Sequence, residues 1–189
     1  MTVSPYCTIG PFFPFQFVDD CNDLTQFEGR RAAGQHIWLT GRMVEEGGGP
    51  TGNSILEIWQ PDENGIFRHP MDARYSKIDP GFFGWGRART DREGRYQFRT
   101  VLPGAAREAD GTMRLPHANL MILAIGLTRR LVTTVFFGDA SDPVLDCVPA
   151  ARRQRLLAVR DEELDAQGLP AYRFDIVLRG ENETPFFVD

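Results

Sequence analysis

Glycine and proline punctuate this chain so densely, 19 and 13 among 189 residues, that the segments between them favour short strands over long helices. Those segments are rich in aromatic side chains, with 14 phenylalanines, which suit a pleated, half-buried surface. His36 to Val44 alternates as a strand, and Gly47-Gly48-Gly49-Pro50 then forces a turn. Residues 54–60 form a second strand, with Leu56 and Ile58 on one face and Ile55, Glu57 and Trp59 on the other. Residues 66–86 are a polar, glycine-rich loop, too long for a mere connection and so a candidate functional excursion; Gly84-Trp85-Gly86-Arg87 within it reads as a turn. Arg95 to Val101 is a strand with Tyr96 and Phe98 on one face. The apolar run Leu120 to Ile125 predicts a strand buried on both faces, paired with Leu131 to Phe137. One helix is expected over Ala150 to Leu164, where Leu156, Leu157, Val159 and Leu164 punctuate charged residues. Tyr172 to Leu178 closes as an alternating strand. The expected fold is all-β, an immunoglobulin/prealbumin-like β-sandwich with one helix near the C-terminus.

Residues 1–33 depart from this pattern. Pro5, Pro11 and Pro14 exclude a helix interior or a central strand around Thr8 to Phe15. A segment so apolar and irregular is expected to lie as an arm against its own domain or a partner, with residues 34–189 forming the sandwich. The net charge of −5 argues against nucleic acid or an anionic membrane as partner. No apolar run approaches the ~18 residues of a spanning helix. The N-terminus lacks the basic and apolar regions of a secretory signal. Cys7, Cys21 and Cys147 make an odd count without a CxxC pair, so a reduced, cytoplasmic location is expected.

The chain carries no nucleophile elbow, no HExxH and no phosphate-cradling glycine loop. Its histidines are His36, His69 and His117. His117 and Asn119 stand two apart on a strand and point the same way, but an amide is a poor ligand for a transition metal. Tyr75, on the long loop, offers a phenolate suited to a hard ferric ion, yet one histidine and one tyrosine do not hold a metal.

Several segments in this order resemble the intradiol ring-cleavage dioxygenases. They are Leu-Glu-Ile-Trp-Gln-Pro-Asp (56–62), Asp-x-Arg-Tyr (72–75), the run from Gly86 through Thr90-Asp91 and Tyr96 to Pro103-Gly104, Pro-His-x-Asn (116–119), and Ala171 to Glu181. Thr-x-Gly-Pro-Phe (8–12) and Glu-x-Glu-Thr-Pro-Phe-Phe (181–187) further resemble the α chains of heteromeric members that act on protocatechuate. The resemblance implies a β-sandwich paired with a β subunit that holds Fe(III) through two tyrosines and two histidines and cleaves protocatechuate with O2. Carried over by position, those ligands fall on Tyr75, Ala106, His117 and Asn119, so two of the four are lost and the iron is expected in the partner β subunit. The resemblance also implies that Thr8, Gly10, Pro11 and Phe12 line the partner's substrate pocket. It puts Thr134 where α chains carry an arginine near that pocket. Two other readings stay beside this one: a homomeric intradiol enzyme for another catechol, and a β-sandwich binding module without chemistry.

Overall fold

The computed structural model describes residues 21–161 and 168–187. It opens with a two-residue ribbon, β1 (Gln26–Phe27) and β2 (Arg30–Arg31). β3 (His36–Val44), β4 (Ile55–Trp59), β5 (Trp85–Arg89) and β6 (Arg95–Val101) follow. A second ribbon, β7 (Ala106–Arg107) and β8 (Met113–Arg114), precedes the hairpin of β9 (His117–Leu123) and β10 (Leu131–Phe136). Two one-turn helices, α1 (Pro143–Asp146) and α2 (Ala150–Arg153), lead to β11 (Val159–Asp161), β12 (Ala171–Arg173) and β13 (Ile176–Val177).

Two sheets stack as a sandwich. One runs β10-β9-β4-β5, antiparallel throughout. In the other, β3 pairs with antiparallel β6 along one edge and with parallel β12 and then β13 along the other, while β11 flanks β12. The alternation read from the sequence sets which side chains meet between them. Leu56, Ile58, Ala118, Leu120, Ile122 and Val135 face Leu39, Met43, Phe98 and Ile176 in one buried cluster. Each large apolar side chain so buried contributes about 1.5–3 kcal/mol, which makes the sandwich the arrangement this pattern favours. Among the described residues no helix is long and apolar enough to cross a membrane.

Four expectations need correction. The helix over 150–164 breaks after one turn and a 3-10 turn at Gln154–Leu156, and Val159–Asp161 is a strand; residues 162–164 lie outside the described residues. Helix α2 starts at Pro149 without a side-chain cap, and Leu156 is drawn instead into a cluster with Phe136, Leu145 and Val148 that covers the outer face of β10. Gly84 to Arg87 is not a turn: Trp85–Arg89 forms β5, with Gly86 and Ala88 inward and Trp85, Arg87 and Arg89 outward. Gly86 has to be small because the backbone at Cys21 and the side chain of Leu24 press on it. The strand expected to be buried on both faces begins at His117 and is only half-buried on its outer side, at Asn119, Met121 and Leu123. Lastly, Tyr172 to Leu178 is two short strands broken at Phe174 and Asp175.

Candidate functional site

A cleft of about 790 Å³ opens at the end of the four-stranded sheet. Its floor is the C-terminal end of β4 and the start of β9, which the register Trp59 opposite Asn119 brings side by side. One wall is the excursion after β4, through Phe67, His69, Met71, Asp72 and Arg74, and the other is the ribbon segment Arg107 to Gly111 with Arg114.

Buried carboxylates hold both walls. Asp62 is fully buried; its Oδ1 accepts the amides of Asn64 and Ile66, both at 2.9 Å, and its Oδ2 accepts that of Asp79 at 3.0 Å. Asp72 accepts the amides of Phe67 (3.0 Å) and Arg74 (2.8 Å) and pairs with the Arg74 guanidinium at 3.3 Å. Burial pushes its carboxyl up, and these hydrogen bonds and charge outweigh that, so it sits below its ordinary value. Arg74 Nη2 also donates to the Gly65 carbonyl at 2.6 Å, tying the excursion to its own root.

On the opposite side Asp142 does the same work. Its side chain is fully buried and accepts Arg114 Nε at 2.9 Å and the amides of Leu115 (2.8 Å) and Val144 (2.9 Å). It therefore caps α1, whose first residue is Pro143, and pins the β7–β8 ribbon to that helix. Burial raises its carboxyl, and the Arg114 contact with the two amides more than offsets this, leaving it below its ordinary value.

The floor is aromatic. Trp59 and Phe67 stack with ring centroids 5.9 Å apart, and Phe67 meets His117 at 6.0 Å. His117 is 1% exposed and its Nδ1 lies 2.6 Å from the Leu115 carbonyl. A carbonyl only accepts, so Nδ1 carries the proton and Nε2 is left as an acceptor. Burial depresses the imidazole pKa, and the ring is neutral at ordinary pH. Beside it the Oδ1 of Asn119 accepts the Thr134 hydroxyl at 3.0 Å, across the register that sets the two residues opposite each other. That fixes the amide with Nδ2 as the remaining donor.

The sequence-derived positions separate accordingly. His117 and Asn119 come together in the cleft. Tyr75 stands 41% exposed in a 3-10 turn, Tyr75–Lys77, outside the cleft lining. Ala106 is buried in β7 against the backbone at Gly65. Thr134 is buried and spends its hydroxyl on Asn119. Thr8, Gly10, Pro11 and Phe12 lie outside the described residues. Among the described residues, the four carried-over positions do not together fit a ferric ion. Ala106 has no donor atom, and the Asn119 oxygen is already engaged. Among the described residues no three of His, Cys, Asp and Glu cluster to hold a metal. The sequence reading missed Asp142, although an aspartate directly before a proline is a helix-start signal. Nothing in spacing alone pointed to Phe67, Arg107 or Arg114, which only the folded excursion and ribbon bring to the cleft.

A family model described as Dioxygenase matches residues 9–180. The chain is 38% identical over 159 residues to the protocatechuate 3,4-dioxygenase β chain of Burkholderia cepacia, covering 80% of this chain and 68% of the other. It is 34% identical over 201 residues to the protocatechuate 3,4-dioxygenase α chain of Burkholderia cepacia, covering 97% of this chain and 96% of the other. Its fold matches the solved hydroxyquinol 1,2-dioxygenase of Pseudomonas putida DLL-E4 with a TM-score of 0.61 at 22% identity, over 92% of this chain and 65% of that one.

Proposed function

The chain belongs to the intradiol ring-cleavage dioxygenase family, and from that premise we propose that it is the non-catalytic α subunit of a heteromeric protocatechuate 3,4-dioxygenase. The observation that carries this reading is the pair of residues at 106 and 119. Alanine cannot ligate and an amide is a poor partner for ferric iron, so the iron falls to a β subunit. The near end-to-end match to an α chain supports it. In the complex, protocatechuate and O2 would give 3-carboxy-cis,cis-muconate, both oxygen atoms entering the opened ring. The 38% identity to a β chain favours a second reading, an iron-holding enzyme for a catechol in its own right. The same two residues weigh against it.

Under the proposed reading residues 1–33, although Leu24 and Ala32 within them are buried in this chain's own core, form an arm that reaches the β subunit. Thr8, Gly10, Pro11 and Phe12 give its pocket an apolar wall, because glycine allows a close backbone approach. Co-expressed with a β chain, this chain is expected to co-elute with it, with iron equal to the β content; separate elution would contradict the subunit reading. In that complex Phe12→Ala is expected to lower kcat/KM for protocatechuate about tenfold while iron content stays the same. Unchanged kinetic constants would remove Phe12 from the pocket.

A further inference from the structure

The outer face of the four-stranded sheet carries a groove that the proposed function leaves unused. It crosses β5, β4 and β9, has a volume of about 250 Å³, and is lined by Trp59, Trp85, Met121 and Val132. Its polar neighbours Glu57 and Asn119 are engaged within the chain. Glu57 accepts Arg87 Nε at 2.8 Å, and the Asn119 oxygen accepts the Thr134 hydroxyl at 3.0 Å. The groove therefore presents apolar surface. Past Trp85 that surface runs on to Phe83, whose ring meets Trp85 edge-on and is 38% exposed. A contiguous apolar patch of this kind marks a place that another segment covers.

The chain's own N-terminal segment begins beside it. The Arg87 amide donates to the Cys21 carbonyl at 2.8 Å, so residues 1–20, which lie outside the described residues, join the fold at β5, the strand that carries Trp85. Their sequence has the pattern the groove needs. Phe13, Phe15 and Phe17 alternate, which puts three rings on one side of an extended run, and Pro14 biases Phe13 toward extended backbone. Phe17 stands four residues from Cys21 and Phe13 eight, a reach of at most about 14 and 28 Å, against ~10 Å from β5 across β4 to β9. Asp19 and Asp20, directly before Cys21, complement in charge the outward Arg87 and Arg89 of β5.

We propose that residues 13–17 seat in this groove of their own chain, with Phe13, Phe15 and Phe17 laid against Trp59, Trp85 and Met121. A second copy or a β subunit also offers apolar surface, but neither is tethered at the β5 edge, and a short tether holds its segment at an effective concentration of about millimolar. The seat needs no β subunit and so goes beyond the subunit reading. Within that reading it gives residues 8–12 a fixed root from which to reach the partner's pocket.

The test is limited chymotrypsin cleavage after Phe15 and Phe17 in the full chain, followed by mass spectrometry. Cleavage requires the segment to lift from the groove. Met121→Asp puts a charge in the groove without altering the segment, and is expected to speed both cleavages by about tenfold or more, its melting temperature being recorded alongside. If that variant does not fold, Val132→Asp takes its place. Equal rates in the parent chain and a folded variant would overturn the seat. A parent rate that falls as chain concentration rises would overturn it too, by assigning the groove to a second copy. So would protection that arises only on adding a β chain, which assigns the groove to the partner. Iron and turnover do not enter this measurement, so the seat and the subunit reading fail separately.

Discussion

Asp142→Ala is expected to destabilise the fold by about 3–5 kcal/mol, enough to leave a marginal domain largely unfolded. The carboxylate has no exposed surface and holds Arg114, whose side chain is only 12% exposed, while also accepting the amides of Leu115 and Val144. Its removal leaves a mostly buried guanidinium and two amides without the acceptor that satisfied them. The loss should be read in urea unfolding, and a cost below about 1 kcal/mol would show that the pin is dispensable. The pH dependence has a definite sign. The folded carboxyl sits below its ordinary value, so its stabilisation is complete above the unfolded pKa of about 3.9 and is lost as pH falls through the depressed folded value. Asp142→Asn keeps the shape and removes that titration, so its stability is expected to fall less steeply below about pH 4 than that of the parent chain.

Gly41→Ala is expected to cost about 3 kcal/mol or more although it adds a single methyl group. A Cβ there would overlap the carbonyl oxygen of Phe174 and lie 2.8 Å from the Tyr96 hydroxyl. That carbonyl already accepts the buried Tyr96 hydroxyl at 2.5 Å, and the Phe174 amide donates to Thr40 at 2.8 Å, so neither neighbour can step aside. The close approach at Gly41 is where the β3 edge passes from β12 to β13. Thermal unfolding would read the change as a lowered melting temperature, and a shift under about 2 °C would mean that the edge yields.

Much of the sandwich was legible. Alternation gave β3, β4 and β6 close to their limits, because one face of each packs on the core and period two is then written into the residues, while β10 was found as the pairing partner of the apolar run in β9. β5 was hidden because its inward positions are Gly86 and Ala88, too small to register as apolar, and the size of Gly86 is set by Leu24 and Cys21 packing from far along the chain. The break at Phe174 was hidden for a similar reason. It depends on Gly41 and on Tyr96, which lies 78 residues earlier in the chain than the carbonyl it bonds. The helical pattern of 150–164 was real locally but short, and Leu156 packs instead against Phe136, Leu145 and Val148 over the outer face of β10. Of the site, residue chemistry showed that alanine at 106 offers no donor and that the amide at 119 is a poor one for ferric iron. It did not show that Tyr75 stands outside the cleft, since that depends on how Asp62, Asp72 and Arg74 fold the excursion.

The most direct measurement is iron content and protocatechuate turnover for this chain purified alone and for the chain co-expressed with a β partner. The expected result is a lone chain without stoichiometric iron or turnover and a complex with both. Stoichiometric ferric iron and ring cleavage in the lone chain would contradict the assignment of catalysis to the partner subunit.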